Sequence, residues 1–75
     1  MIIRYYDATT EQYVELEGEV IRSGAGYGAG PEYNVMYRLR DGRFMSGVRH
    51  KDRGDLMTEV RIGITSHEVM PERWR

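Results

Sequence analysis

Apolar and polar positions alternate along most of the chain, with a period of two. Tyr33, Val35, Tyr37 and Leu39 alternate with Asn34, Met36, Arg38 and Arg40. Val60, Ile62 and Ile64 share one side of a second such segment, and Val14, Leu16 and Val20 lie opposite Glu15, Glu17 and Glu19 in a third. This is the pattern of a strand with one face in a core and the other in water. The opening run MIIRYY adds a further strand whose inward face the pattern leaves open. No window long enough for a helix carries 3.6-residue spacing, so the chain reads as an antiparallel all-β domain.

Turn chemistry proposes how the strands pair. Asp41-Gly42, between Arg40 and Arg43, is the signal of a two-residue type I′ hairpin. That turn places Leu39 opposite Phe44, Tyr37 opposite Ser46 and Val35 opposite Val48, all on one side, as a half-buried sheet requires. Closing the preceding hairpin with Arg22 opposite Tyr33 brings Leu16 to Leu39, Gly18 to Tyr37 and Val20 to Val35. On the outer face it sets Glu17 against Arg38 and Glu15 against Arg40. A third hairpin, closed across a long exposed loop, matches Val48 with Val60, Ser46 with Ile62, Phe44 with Ile64 and Arg49 with Glu59. Ser66 then caps one helical turn that Pro71 halts. In element order and spacing, over most of its length, the chain resembles the Src-homology-three or Tudor type of barrel. The expectation is one domain over residues 1–75, a small five-stranded antiparallel barrel with a short C-terminal helical turn.

Composition sharpens this picture in two respects. The chain has 75 residues and no cysteine. A core of that size supplies about 3–5 kcal/mol without a staple, and neither a disulfide nor a cysteine-ligated zinc is available. His50 and His67 lie far apart in sequence, so no metal is expected, and oligomerisation or a partner is a plausible source of extra support. The chain shows no basic-plus-apolar leader and no apolar run approaching the ~20 residues of a membrane span. These features predict a cytoplasmic protein with no membrane association.

Charge is near balance overall, with 11 basic and 12 acidic residues, but it is unevenly placed. Residues 1–32 carry Arg4 and Arg22 against six acids, whereas residues 38–53 carry six basic groups against Asp41 and Asp52. With Tyr37 and Phe44 interleaved, the basic stretch has the ingredients of a nucleic-acid surface. The predicted register turns both rings inward and sets glutamates against Arg38, Arg40 and Arg49. Arg43, Lys51 and Arg53 remain, with His50 and Arg49 beside them, as the nucleic-acid alternative.

Other motifs yield less. Gly24, Gly26 and Ala29 fit G-x-G-x-x-A after a strand, but Gly30-Pro31 and another strand follow where a phosphate site needs a helix N-terminus. No nucleotide or other cofactor is therefore expected. The histidines have no evident serine-and-acid arrangement, so no catalytic residue is assigned. The RGD tripeptide at 53–55 reads as a loop turn. Met36 and Met45 are expected to point outward, with Gly47 opposite Met36, as an adaptable apolar contact surface. Tyr27 in the glycine loop and Trp74 near the end complete the predicted partner-binding set. The expected function is a non-enzymatic binding module that acts through a protein partner or self-association. So small a barrel suits a phage or mobile-element accessory protein that blocks a host factor.

Overall fold

In the computed structural model, residues 1–24 and 32–70 are described. Five strands follow in chain order: β1 (Ile2–Asp7), β2 (Gln12–Ser23), β3 (Glu32–Leu39), β4 (Phe44–His50) and β5 (Leu56–Gly63). A 3₁₀ turn at Lys51–Arg53 joins β4 to β5, and one helical turn, α1 (Ser66–Val69), follows β5. Each strand pairs with the next in antiparallel fashion. The sheet closes as a barrel through a parallel bridge, Tyr5↔Met57, between β1 and β5. The all-β five-stranded barrel with a terminal helical turn is therefore the architecture, with one parallel seam among antiparallel pairs.

The long strand β2 makes closure possible by changing neighbour. Its residues 12–17 pair with β1, and Gly18 to Ser23 pair with β3. Ile3, Val35, Tyr37, Leu39, Met45 and Met57 fill the interior, with Tyr5, Leu16, Tyr33, Val60 and Ile62 packed around them. The Tyr37 hydroxyl donates to Met57 Sδ at 3.7 Å. Burial raises the pKa of that phenol above its ordinary 10.0, an effect that nearby Arg49 only partly offsets.

Register is where the structure departs from the pattern. Tyr37 pairs with Met45, Val35 with Gly47 and Asn34 with Val48, one residue away from the expected pairing. The cause is the turn. Type I′ needs positive φ at both Asp41 and Gly42, whereas Gly42 alone has it, at 94°. Gly42 N donates to Leu39 O at 3.0 Å and Leu39 N to Arg43 O at 2.8 Å, which makes a three-residue loop with a bulged glycine. The Asp41 carboxylate favours this form by accepting from Arg43 N and Nε. Those two bonds, backbone first, hold its pKa below the ordinary value.

The neighbouring ladders also differ from the expected pairing, each in its own way. Gly18 faces Leu39, Glu19 faces Arg38 and Val20 faces Tyr37, after which a bulge sets Arg22 opposite Met36. Glu17 meets Arg40 instead of Arg38, in an ion pair of 3.1 Å. Across β4 and β5, Met45 faces Ile62 and Phe44 faces Gly63. A second bulge then sets Val48 opposite Thr58 and Arg49 opposite Met57. Glu59 sits in that bulge at φ 51°. Gly47 lies across from it so closely that a Cβ there would stand 2.8 Å from Thr58 O. The helical turn is capped by Thr65, not Ser66: Glu68 N donates to Thr65 Oγ1, and the Glu68 side chain reaches back to the backbone N of Thr65. Ser46 Oγ donates to Val69 O and ties α1 onto the outer face of β4.

Candidate protein-binding surface

The one-residue shift between β3 and β4 turns Met45 inward, while Met36 keeps its expected face and is covered there. Met45 enters the barrel core at 0% exposure, and Met36 is 2% exposed on the opposite face of β3. Asn34, Ser46, Val48 and His50 are buried as well, so the outer side of β3 and β4 is itself interior. The expected methionine contact surface is thereby overturned: neither side chain reaches solvent. Tyr27 and Trp74 lie outside the described residues, as does most of the glycine loop.

Exposed apolar groups gather elsewhere. Among the described residues, apart from Ile64, the large exposed apolar side chains are Met1, Ile2, Tyr6, Tyr13, Val20 and Ile21, all on β1 and β2 or beside them. Alternation explains the first strand: Ile3 turns inward, so Ile2, Arg4 and Tyr6 turn out. The register then sets Ile2 against Glu17, Arg4 against Glu15 and Tyr6 against Tyr13. The two tyrosine rings meet edge to face with centroids 5.2 Å apart, and the Arg4 guanidinium lies 4.5 Å from the centre of the Tyr13 ring. At 58% exposure Tyr13 has most of its surface free for a partner. Val20 and Ile21 both reach solvent because the β2 bulge breaks the alternation there. This surface went unnoticed in the sequence because the inward face of β1 was open. The signal was present: pairing Asp7 with Gln12 across the DATTE turn places Tyr6 opposite Tyr13.

The basic residues do not form one free patch. Arg43 precedes β4 and Lys51 follows it, which puts about 20 Å of strand between them at ~3.3 Å per residue. Arg43 is held by Asp41 at 2.7 Å and Arg49 by Asp55 at 3.1 Å. Lys51 Nζ stands over the Tyr33 ring at 5.1 Å, and Arg53 is exposed. Burial opposes the Arg49 charge, but its bond to Asp55 and the adjacent Tyr37 and Tyr33 outweigh this and raise its pKa. The aspartate of the RGD tripeptide is thus occupied inside the molecule.

His50 has partners that the sequence did not disclose. Its Nε2 lies 2.7 Å from Thr58 Oγ1, and its Nδ1 lies 3.2 Å from Glu32 Oε1, out of line for a hydrogen bond. A hydroxyl, an imidazole and a carboxylate in that order resemble an activated nucleophile. Here the hydroxyl is that of a β-branched residue within a paired strand, and the carboxylate is misaligned. The trio ties β3, β4 and β5 together.

Among the described residues no cluster of histidine and carboxylate groups could hold a metal, and no helix is long and apolar enough to cross a membrane. Compared with known proteins, the chain matches no family model, no curated protein and no solved structure.

Proposed function

We infer that this chain is a non-enzymatic binding barrel that engages a protein through the outer face of β1 and β2. One observation carries the reading: the exposed side chains of Tyr6, Tyr13 and Arg4 meet on that face, where Ile2 is exposed as well. Tyrosine and arginine dominate the energetics of protein contacts because they bring large area and fixed geometry at low entropic cost. The Tyr6–Tyr13–Arg4 contacts hold these side chains in place before a partner arrives, which lowers the cost of ordering them. A barrel of the Src-homology-three or Tudor outline acting in the cytoplasm, as an accessory protein of a phage or mobile element that blocks a host factor, fits this reading. Nucleic acid is disfavoured as the partner, since most of the basic set is already paired or stacked.

The test compares immobilised wild-type protein with Tyr13→Glu and with Arg43→Glu/Lys51→Glu, using host lysate with and without nuclease. The expected result is a retained protein that survives nuclease, persists with the double charge variant and disappears with Tyr13→Glu. A partner lost to nuclease or to the charge variant, while Tyr13→Glu retains it, would overturn the reading.

A further inference from the structure

Between β1 and β5 the barrel is closed by one bridge, Tyr5↔Met57, and β5 runs on to Gly63 with no β1 residue paired to it beyond that point. On its other side β5 is fully engaged with β4. The gap left beside the bridge is a cleft of about 540 Å³. Tyr5, Leu56, Val60 and Ile62 give it apolar walls, and among the described lining residues Asp7 and Glu59 are charged and none is a cation. Asp7 is turned towards its own loop, where Oδ1 accepts from Thr9 N at 2.9 Å. Glu59 has no ion pair among the described residues. It stands in the β5 bulge at positive φ, a conformation that costs a non-glycine residue free energy.

An unpaired strand edge offers backbone donors and acceptors to any extended segment, and natural barrels usually cover or blunt such edges. Here the edge borders a walled cleft whose uncompensated charge is negative. We propose that this cleft takes an extended basic and apolar peptide segment of the partner, added as a strand alongside β5. Main-chain hydrogen bonds to β5 supply affinity. Apolar side chains of the segment enter between Tyr5 and Val60, and its cationic side chains meet Glu59. Tyr6 lines the cleft and also belongs to the β1–β2 face, so the two surfaces are continuous. The proposal rests on the protein-binding reading above and adds the chemistry of the bound segment.

The probe is a short acetylated and amidated peptide alternating lysine and valine, titrated into the intact protein and followed by backbone amide NMR. Saturable shifts are expected at Tyr5–Ala8 and from Thr58 to Gly63, while the glutamate–valine counterpart produces none. Alternate N-methylation of the lysine peptide should abolish the shifts, because it removes the added strand's donors. Glu59→Lys should weaken binding at least about tenfold, with Glu59→Gln in between and an unchanged amide spectrum elsewhere confirming the fold. Arg43→Ala, at a residue that does not line the cleft, should leave peptide affinity unaltered, which shows that the loss at Glu59 is local. Absence of saturable cleft shifts, equal binding of the glutamate peptide, or indifference to N-methylation would each overturn the proposal.

Discussion

The β3–β4 and β1–β2 hairpins are built from similar alternating segments, yet one is buried on both faces and the other on one. In β3, Asn34 through Tyr37 are all buried, and in β4 so are Met45 through Val48. In β1 only Ile3 is fully buried, and β2 contains no fully buried residue. The inner strands therefore spend both sets of side chains on stability. The outer pair spends one set and leaves tyrosine, isoleucine and arginine to solvent. A small barrel with a thin core gains from this division, since the exposed face can change without dismantling the fold.

The largest effect should come from the buried hairpin. Met45→Ala should cost about 2–5 kcal/mol in urea denaturation, comparable with the whole stability of so small a core. Tyr13→Ala, which deletes an exposed ring and its edge-to-face contact, should cost less than about 1.5 kcal/mol. Equal losses would end the comparison. An effect smaller than that of Met45→Ala is expected at the β4–β5 bulge: Gly47→Ala forces a Cβ against Thr58 O and Met57, with an expected loss of about 1–3 kcal/mol. Replacing the strained residue opposite, Glu59→Gly, should instead raise the denaturation midpoint by up to about 1 kcal/mol of stability.

Smallest is the surface pair that reports register. A double-mutant cycle on Glu17 and Arg40 should give a coupling of about 0.2–1 kcal/mol that fades with salt. Glu17 and Arg38, the pair expected from closing the preceding hairpin with Arg22 opposite Tyr33, should be additive. Coupling in the second cycle and none in the first would restore the sequence-derived register.

Strand number, order and the terminal helical turn were legible because period-two alternation and capping are local signals. The β3–β4 register was not, because it hangs on one turn. Asp41-Gly42 accommodates either a two-residue loop or a three-residue loop with a bulge, and in the observed second form Arg43 bonds to Asp41 through its N and Nε. That one-residue difference turns Met45 from the outer to the inner face. Met36 misleads for another reason. A strand covered on both sides is apolar on both sides, and TYR-ASN-VAL-MET-TYR, residues 33–37, reads as alternation only if methionine is taken as a surface residue. For β1, adjacent Ile2-Ile3 and Tyr5-Tyr6 satisfy either face equally, so the surface proposed to bind could not be placed before its pairing with β2 was known.

The lone seam bridge also governs how the chain reaches its final form. The hairpins β1–β2, β2–β3, β3–β4 and β4–β5 join neighbours in sequence and can form early. Tyr5↔Met57 joins opposite ends of the chain and must wait for all of them. Long-range closure of this kind is slow, because the entropy of the intervening chain is lost before the contact rewards it. During synthesis, β1 through β4 emerge as an open curved sheet with β1 and β4 as bare edges until β5 arrives. Sealing the seam is then the step at which kinetics separates a barrel from an aggregate.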